Sequence, residues 1–176
     1  DGQQYETLQA AVDAVQGSGT IELTSSIALS DQVTIDSGKT IILDMNGETL
    51  SIGFSDSSKN LIVNNGTLTI TGDGTFDATE ATSYKGFINN YGTLTVENGT
   101  FQIADKAMTV HLRNQDGGKA VINGGTFSGG ATIVRSFEGS NTTITGGSFT
   151  NSVYPAVDVN GETLITGGIF TNTSCS

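Results

Sequence analysis

The chain has a single cysteine, a single proline, one histidine and only seven basic residues among 176. A lone cysteine, Cys175, rules out an internal disulfide framework. Eighteen acidic residues against those seven give a net charge of -11. Nucleic acid needs a basic footprint, so that class of partner is excluded. The same balance argues against electrostatic attachment to anionic lipid. No apolar run approaches the roughly 20 residues of a membrane span, so no membrane insertion is expected. The chain is not disordered either: Leu, Ile, Val and Phe supply 44 residues, above the level of chains that cannot form a core.

What is abundant is glycine, 24 residues, much of it at fixed offsets within a repeat. Met45-Asn-Gly-Glu-Thr-Leu50, Val96-Glu-Asn-Gly-Thr-Phe101, Ile122-Asn-Gly-Gly-Thr-Phe127, Ile144-Thr-Gly-Gly-Ser-Phe149 and Ile165-Thr-Gly-Gly-Ile-Phe170 share one pattern. Ile70-Thr-Gly-Asp-Gly-Thr-Phe76 carries one extra residue. The closing residues Leu50, Phe76, Phe101, Phe127, Phe149 and Phe170 are 26, 25, 26, 22 and 21 apart, and Ile27 starts the series. A β-propeller blade needs about 40–50 residues, and the leucine-rich consensus is missing, so this period predicts a solenoid.

Within each repeat Leu68 and Ile70, Leu94 and Val96, and Ala120 and Ile122 alternate with Thr69, Thr95 and Val121. Alternation means strand, with the first-named residues inward. Glycines then permit the positive φ of a corner, and a second strand follows, centred on the Phe. A third apolar segment appears in Met108-Thr-Val-His-Leu112, Ala131-Thr-Ile-Val134 and Ala156-Val-Asp-Val159. Ahead of all this, Leu8, Ala11, Val12 and Val15 form one helical stripe with Thr7 as N-cap and Gly17 and Gly19 as terminators. The expectation is an all-β, right-handed parallel β-helix of about six to seven coils. It forms a single domain over 1–176, with a capping α-helix at 6–16 and coils at 19–176. The helix covers apolar interior and strand edges of the first coil. Beyond Phe170 no amphipathic segment closes the last coil, which predicts a fragment of a longer surface protein or end-to-end self-association at that coil.

Glu6-Thr-Leu-Gln-Ala-Ala-Val-Asp-Ala-Val15 followed by Gly19-Thr-Ile-Glu-Leu23 resembles the opening of pectate-lyase-like right-handed β-helix proteins. The Asn-Gly-Gly-Thr-Phe repeats resemble modules of large surface adhesins of Gram-positive gut bacteria. The resemblance implies a fold and leaves activity open, because lyases, hydrolases, esterases and adhesins share it. The Asn-Thr-Asp, Asp-Asp, Gly-His-Gly and Arg-Ile-Lys motifs of polygalacturonase-like enzymes are missing. The pectin methylesterase set has no counterpart beyond Gln102 near Asp77.

Counting from the Phe column places His111, Arg135 and Asp158 at similar offsets in the third strand, with Asn89 a coil earlier. The expectation is an outward column able to hold a sugar hydroxyl or carboxylate; the alternative is a solvated face with a surface Arg–Asp pair. Tyr84, Phe87, Tyr91, Phe137 and Tyr154 fall near corners, where they either stack on sugar rings or cover the corners. Beside the Phe column, Thr49/Ser51, Thr75/Asp77, Thr100/Gln102, Thr126/Ser128, Ser148/Thr150 and Ile169/Thr171 form ranks like those of ice-binding solenoids, interrupted at Asp77 and Gln102. Thr also simply suits an exposed strand. Asp73, Asp77 and Glu80 fall short of the six to eight oxygens that calcium takes, so neither metal nor cofactor is expected. Cys175 is expected to be a free thiol rather than a nucleophile. Sequons at Asn65, Asn98, Asn141 and Asn172 read as chance in a chain this rich in Asn and Thr.

Richness in Thr, Ser, Asn and Gly with few lysines points to an extracellular or cell-wall-attached protein. The start at Asp1 reads as a mature or excised chain. The expected function is a non-catalytic stalk or adhesion module with host glycan, mucin or another cell-surface protein as partner. The alternatives are a polysaccharide lyase or hydrolase using His111, Arg135 and Asp158, and an ice-binding solenoid.

Overall fold

The computed structural model describes residues 2–54, 56, 58–80, 86–104, 109–151 and 154–173. The chain forms an all-β, right-handed parallel solenoid of about six turns with one short helix near the N-terminus. Each full turn contributes one strand to each of three parallel sheets. The first sheet runs from Ser18–Glu22 through Thr40–Asp44, Thr67–Thr71, Thr93–Val96, Lys119–Ile122 and Asn141–Ile144 to Glu162–Ile165. The second runs from Ile27–Leu29 through Thr75–Ala78 and Thr100–Ile103 to Ile169–Asn172, and the third from Val33–Ile35 through Ile88–Asn90 and Val110–Asn114 to Val157–Val159.

The expected Phe column is a continuous ladder. Ile27 pairs with Leu50, Leu50 with Phe76, and Phe76, Phe101, Phe127, Phe149 and Phe170 follow in register. Successive rings lie 4.6, 4.6, 5.0 and 4.7 Å apart and tilt by only 9°, 9°, 1° and 6°. Each turn is thus laid on the last with almost no rotation. A buried Phe contributes roughly 1.5–3 kcal/mol from area alone, and stacking adds about 0.5–1.5 kcal/mol, but only with a neighbouring turn present.

The paired glycines before the Phe have separate duties. A Cβ on Gly124 would lie 2.5 Å from the carbonyl oxygen of Glu97 in the turn below, so only glycine permits this approach. Gly125, at φ +98°, makes the left-handed corner that returns the chain to the second sheet.

A second ladder was not anticipated. Asn64, Asn90 and Asn114 occupy one inward column of the third sheet and are fully buried. Asn64 Nδ2 donates to Asn90 Oδ1 (2.7 Å), Asn90 Nδ2 to Asn114 Oδ1 (2.8 Å), and Asn114 Nδ2 to Thr142 Oγ1 (2.9 Å). The second amide hydrogens reach the carbonyls of Thr93, Lys119 and Asn141 at the start of the first sheet. These amides therefore hold the corner between third and first sheets. Ser136 takes the next position and bonds Thr142 and Ser140. The ladder stops below Asn64, whose Oδ1 has no partner because the preceding turn places Ile35 there.

The helix spans Leu8–Ala14, shorter than the expected 6–16, and Thr7 Oγ1 accepts from Ala10 N at 3.1 Å as N-cap. Leu8, Ala11 and Val12 are buried against the first turn. Lys39 Nζ donates to the carbonyls of Val12, Asp13 and Val15 at 2.9, 3.0 and 2.9 Å, closing the helix C-terminus. Gln9 does the work of a strand: its Oε1 accepts from Thr34 N (2.7 Å) and its Nε2 donates to Thr34 O (3.1 Å). The free edge of the third sheet is thereby satisfied.

Replacing Asn90 with Ala leaves two buried amide groups without their partner, at about 1–3 kcal/mol each. Asn90→Ala is therefore expected to lower the free energy of unfolding by roughly 2–5 kcal/mol. Phe101→Ala is expected to cost about 3–5 kcal/mol. Urea denaturation of both variants against wild type checks the two ladders.

Candidate functional site

The outward residues of the third sheet form the most differentiated surface among the described residues. Because outward and inward positions alternate, the residue before each ladder asparagine or serine faces out. The register places Val63, Asn89, Arg113, Arg135 and Asp158 in one outward column. Asn89, Arg135 and Asp158 thus come together as expected. His111 does not. Its place in the column is taken by Arg113, two residues on, because the corner between second and third sheets is longer in that turn. Ile103 leads to Val110 there, whereas Ser128 leads to Thr132 in the next.

His111 instead points inward, 1 % exposed, with its ring centroid 5.4 Å from Phe87 and 5.9 Å from Phe127. Nε2 lies 3.1 Å from Gly129 O, and Nδ1 has no partner. The Nε2–H tautomer meets both conditions, donating to Gly129. Burial pushes the imidazole pKa down from 6.5 to about 4, against weaker opposing bonds to the Gly129 and Ser128 backbone.

Along the outward column each polar side chain is tied to a neighbour. Arg135 Nε donates to Asp158 Oδ2 at 2.8 Å. Gln115 Nε2 donates to Asn89 Oδ1 at 2.5 Å, and Asn89 Nδ2 to Tyr91 Oη at 3.2 Å. The Arg113 guanidinium lies 5.2 Å from the centre of the Phe137 ring, a cation–π contact. Burial, then the like charge of Arg135, lowers the Arg113 pKa, partly offset by Tyr91. Tyr91, Gln115 and Phe137 follow their column neighbours by two residues and make a second row at the corner. The carboxylates of Asp116 and Glu138 are exposed on the rim beyond it.

The other candidates separate. Tyr91 and Tyr154 are 48 % and 51 % exposed, Phe137 is half-buried, and Phe87 belongs to the core, edge-on to Phe76 and Phe101. Tyr84 and Cys175 lie outside the described residues. Thr49, Thr75, Thr100, Thr126, Ser148 and Ile169 pair in register beside the Phe ladder, and Asp77 and Gln102 adjoin in the neighbouring rank. Asp73 accepts from Asn98, and Asp77 caps Thr79. No group of three potential metal ligands occurs among the described residues. Among the described residues no helix is long and apolar enough to cross a membrane. No family model, curated protein or solved structure matches the chain.

A histidine with a lowered folded-state pKa stabilises fully above its unfolded value and loses that contribution as acid protonates the unfolded chain. Stability is expected to fall by roughly 3 kcal/mol between pH 6.5 and about 4 on account of His111. His111→Phe should remove that share of the slope, measured by urea denaturation across the pH range, whatever its effect at pH 7.

Proposed function

We propose that this chain is a non-catalytic extracellular module, a rigid stalk whose third-sheet outer face binds glycan on a bacterial cell surface. The carrying observation is the cross-turn locking of that face. On an ordinary solvated strand long polar side chains keep their rotamer freedom. Here Asn89, Arg113, Gln115, Arg135 and Asp158 each have a partner that sets their direction. Binding then costs less side-chain ordering. Planar amide, guanidinium and carboxylate groups beside exposed Tyr91 suit sugar hydroxyls and ring faces. The pectate-lyase-like resemblance of the helix and first turn fits this reading of a surface β-helix.

The lyase or hydrolase alternative draws less support. His111, the proton carrier it needs, is buried against Phe87 and Phe127, whereas Arg135 lies in the outward column. Asp158, the carboxylate it needs, is bound to Arg135 Nε. The ice-binding alternative meets Asp77 and Gln102 in its lattice.

Retention of the chain on immobilised mucin or a glycan array is expected, and to be lost in Arg135→Ala with Tyr91→Ala. No retention on any glycan would reduce the module to a spacer. Incubation with acidic polysaccharides is expected to release no reducing or unsaturated ends; their appearance would restore the enzymatic reading.

A further inference from the structure

Resting on the glycan-binding reading, we infer that the third-sheet face takes a straight, neutral, β-1,4-linked polysaccharide lying parallel to the solenoid axis, one sugar unit per turn.

Direction comes from the register. Asn89, Arg113, Arg135 and Asp158 stand on four consecutive turns directly above one another. Ring spacings of 4.6–5.0 Å with tilts of at most 9° show that the repeat along the axis is constant and almost unrotated. A ligand that reaches these four evenly spaced levels must advance by about that interval per unit without curling away. An extended β-1,4-linked pyranose chain advances by nearly one turn per sugar and stays straight. An α-1,4-linked chain curls and would leave the row after one or two units.

Neutrality comes from the charge balance. Two guanidiniums in an acidic chain would by themselves suggest an anionic sugar. Asp158 already pairs with Arg135, however, and Asp116 and Glu138 are exposed on the rim beside Gln115 and Phe137. A polyanion would meet these three carboxylates along its length, and like charges disfavour it. Neutral hydroxyls accept from guanidinium and amide groups and donate to the carboxylate without that repulsion. Tyr91, 48 % exposed at the Asn89 end, supplies a platform for the ring of the first sugar.

The test is isothermal titration with chito-oligosaccharides of two to six units and a matching maltooligosaccharide series. Affinity should rise about tenfold from the disaccharide to the tetrasaccharide and change less than about twofold from tetramer to hexamer, a tenfold step being about 1.4 kcal/mol. Tyr91→Ala and Arg135→Ala should each lower tetrasaccharide affinity at least about fivefold, and Gln102→Ala on the second sheet should not, with melting temperatures confirming that all variants fold. Equal affinity for dimer and hexamer, or equal affinity for the maltooligosaccharides, would overturn the axial placement while glycan binding stands. Tighter binding of an acidic glycan than of the chito series would overturn the neutral assignment. Absence of binding to any saccharide would remove the glycan-binding reading itself.

Discussion

Every feature of this molecule depends on one constraint: each turn must lie over the last in strict register. The Phe ladder expresses it most directly, with five rings held between 4.6 and 5.0 Å apart. No single turn encloses a core. Parallel pairing and ring stacking are both contacts between turns, so stability belongs to the array. The glycine pair enforces the same constraint from the backbone side. Gly124 lets the chain approach the turn beneath, and Gly125 sends it back towards the next ring. The helix at the other limit of the fold substitutes for a missing turn, covering apolar side chains with Leu8 and Val12 and completing a strand edge with the amide of Gln9.

That regularity turns a surface into a site. Side chains on one outward column inherit the repeat of the core, and neighbours four levels deep can lock one another. The pairs Gln115–Asn89 and Arg135–Asp158 and the Arg113–Phe137 contact all join adjacent turns. Asn89, Arg113, Arg135 and Asp158 stand on strands, and Gln115 and Phe137 on the corner positions directly after them. The proposed binding face thus stands on rigid strands whose positions are set by the buried ladders behind them.

The fold was legible in the sequence because its strongest signal is periodic. Phe at a fixed distance after a glycine corner marked the second sheet, and alternation of Leu68, Ile70, Leu94 and Val96 marked the first. The third sheet was harder. Its corner after the Phe strand varies in length, so a count from Phe101 lands on His111, two residues short of Arg113. A count begun at the asparagines would have held. Asn64, Asn90 and Asn114 each follow an inward Ile or Leu by two residues, and the residue between them is the outward one. The burial of His111 was beyond composition or period, since a histidine on a strand is equally at home on either face.

The amide ladder has a direction. Asn64, Asn90 and Asn114 each present Nδ2 to the next turn, and Asn90 and Asn114 receive at Oδ1 from the turn before, so their dipoles align head to tail through the interior. In a dry environment such a chain polarises cooperatively, each link strengthening its neighbours. The corner between the third and first sheets consequently responds as a unit: a flip of the Asn90 carboxamide would oppose like ends at two levels, and the carbonyls of Thr93, Lys119 and Asn141, which can only accept, hold all three amides in one sense.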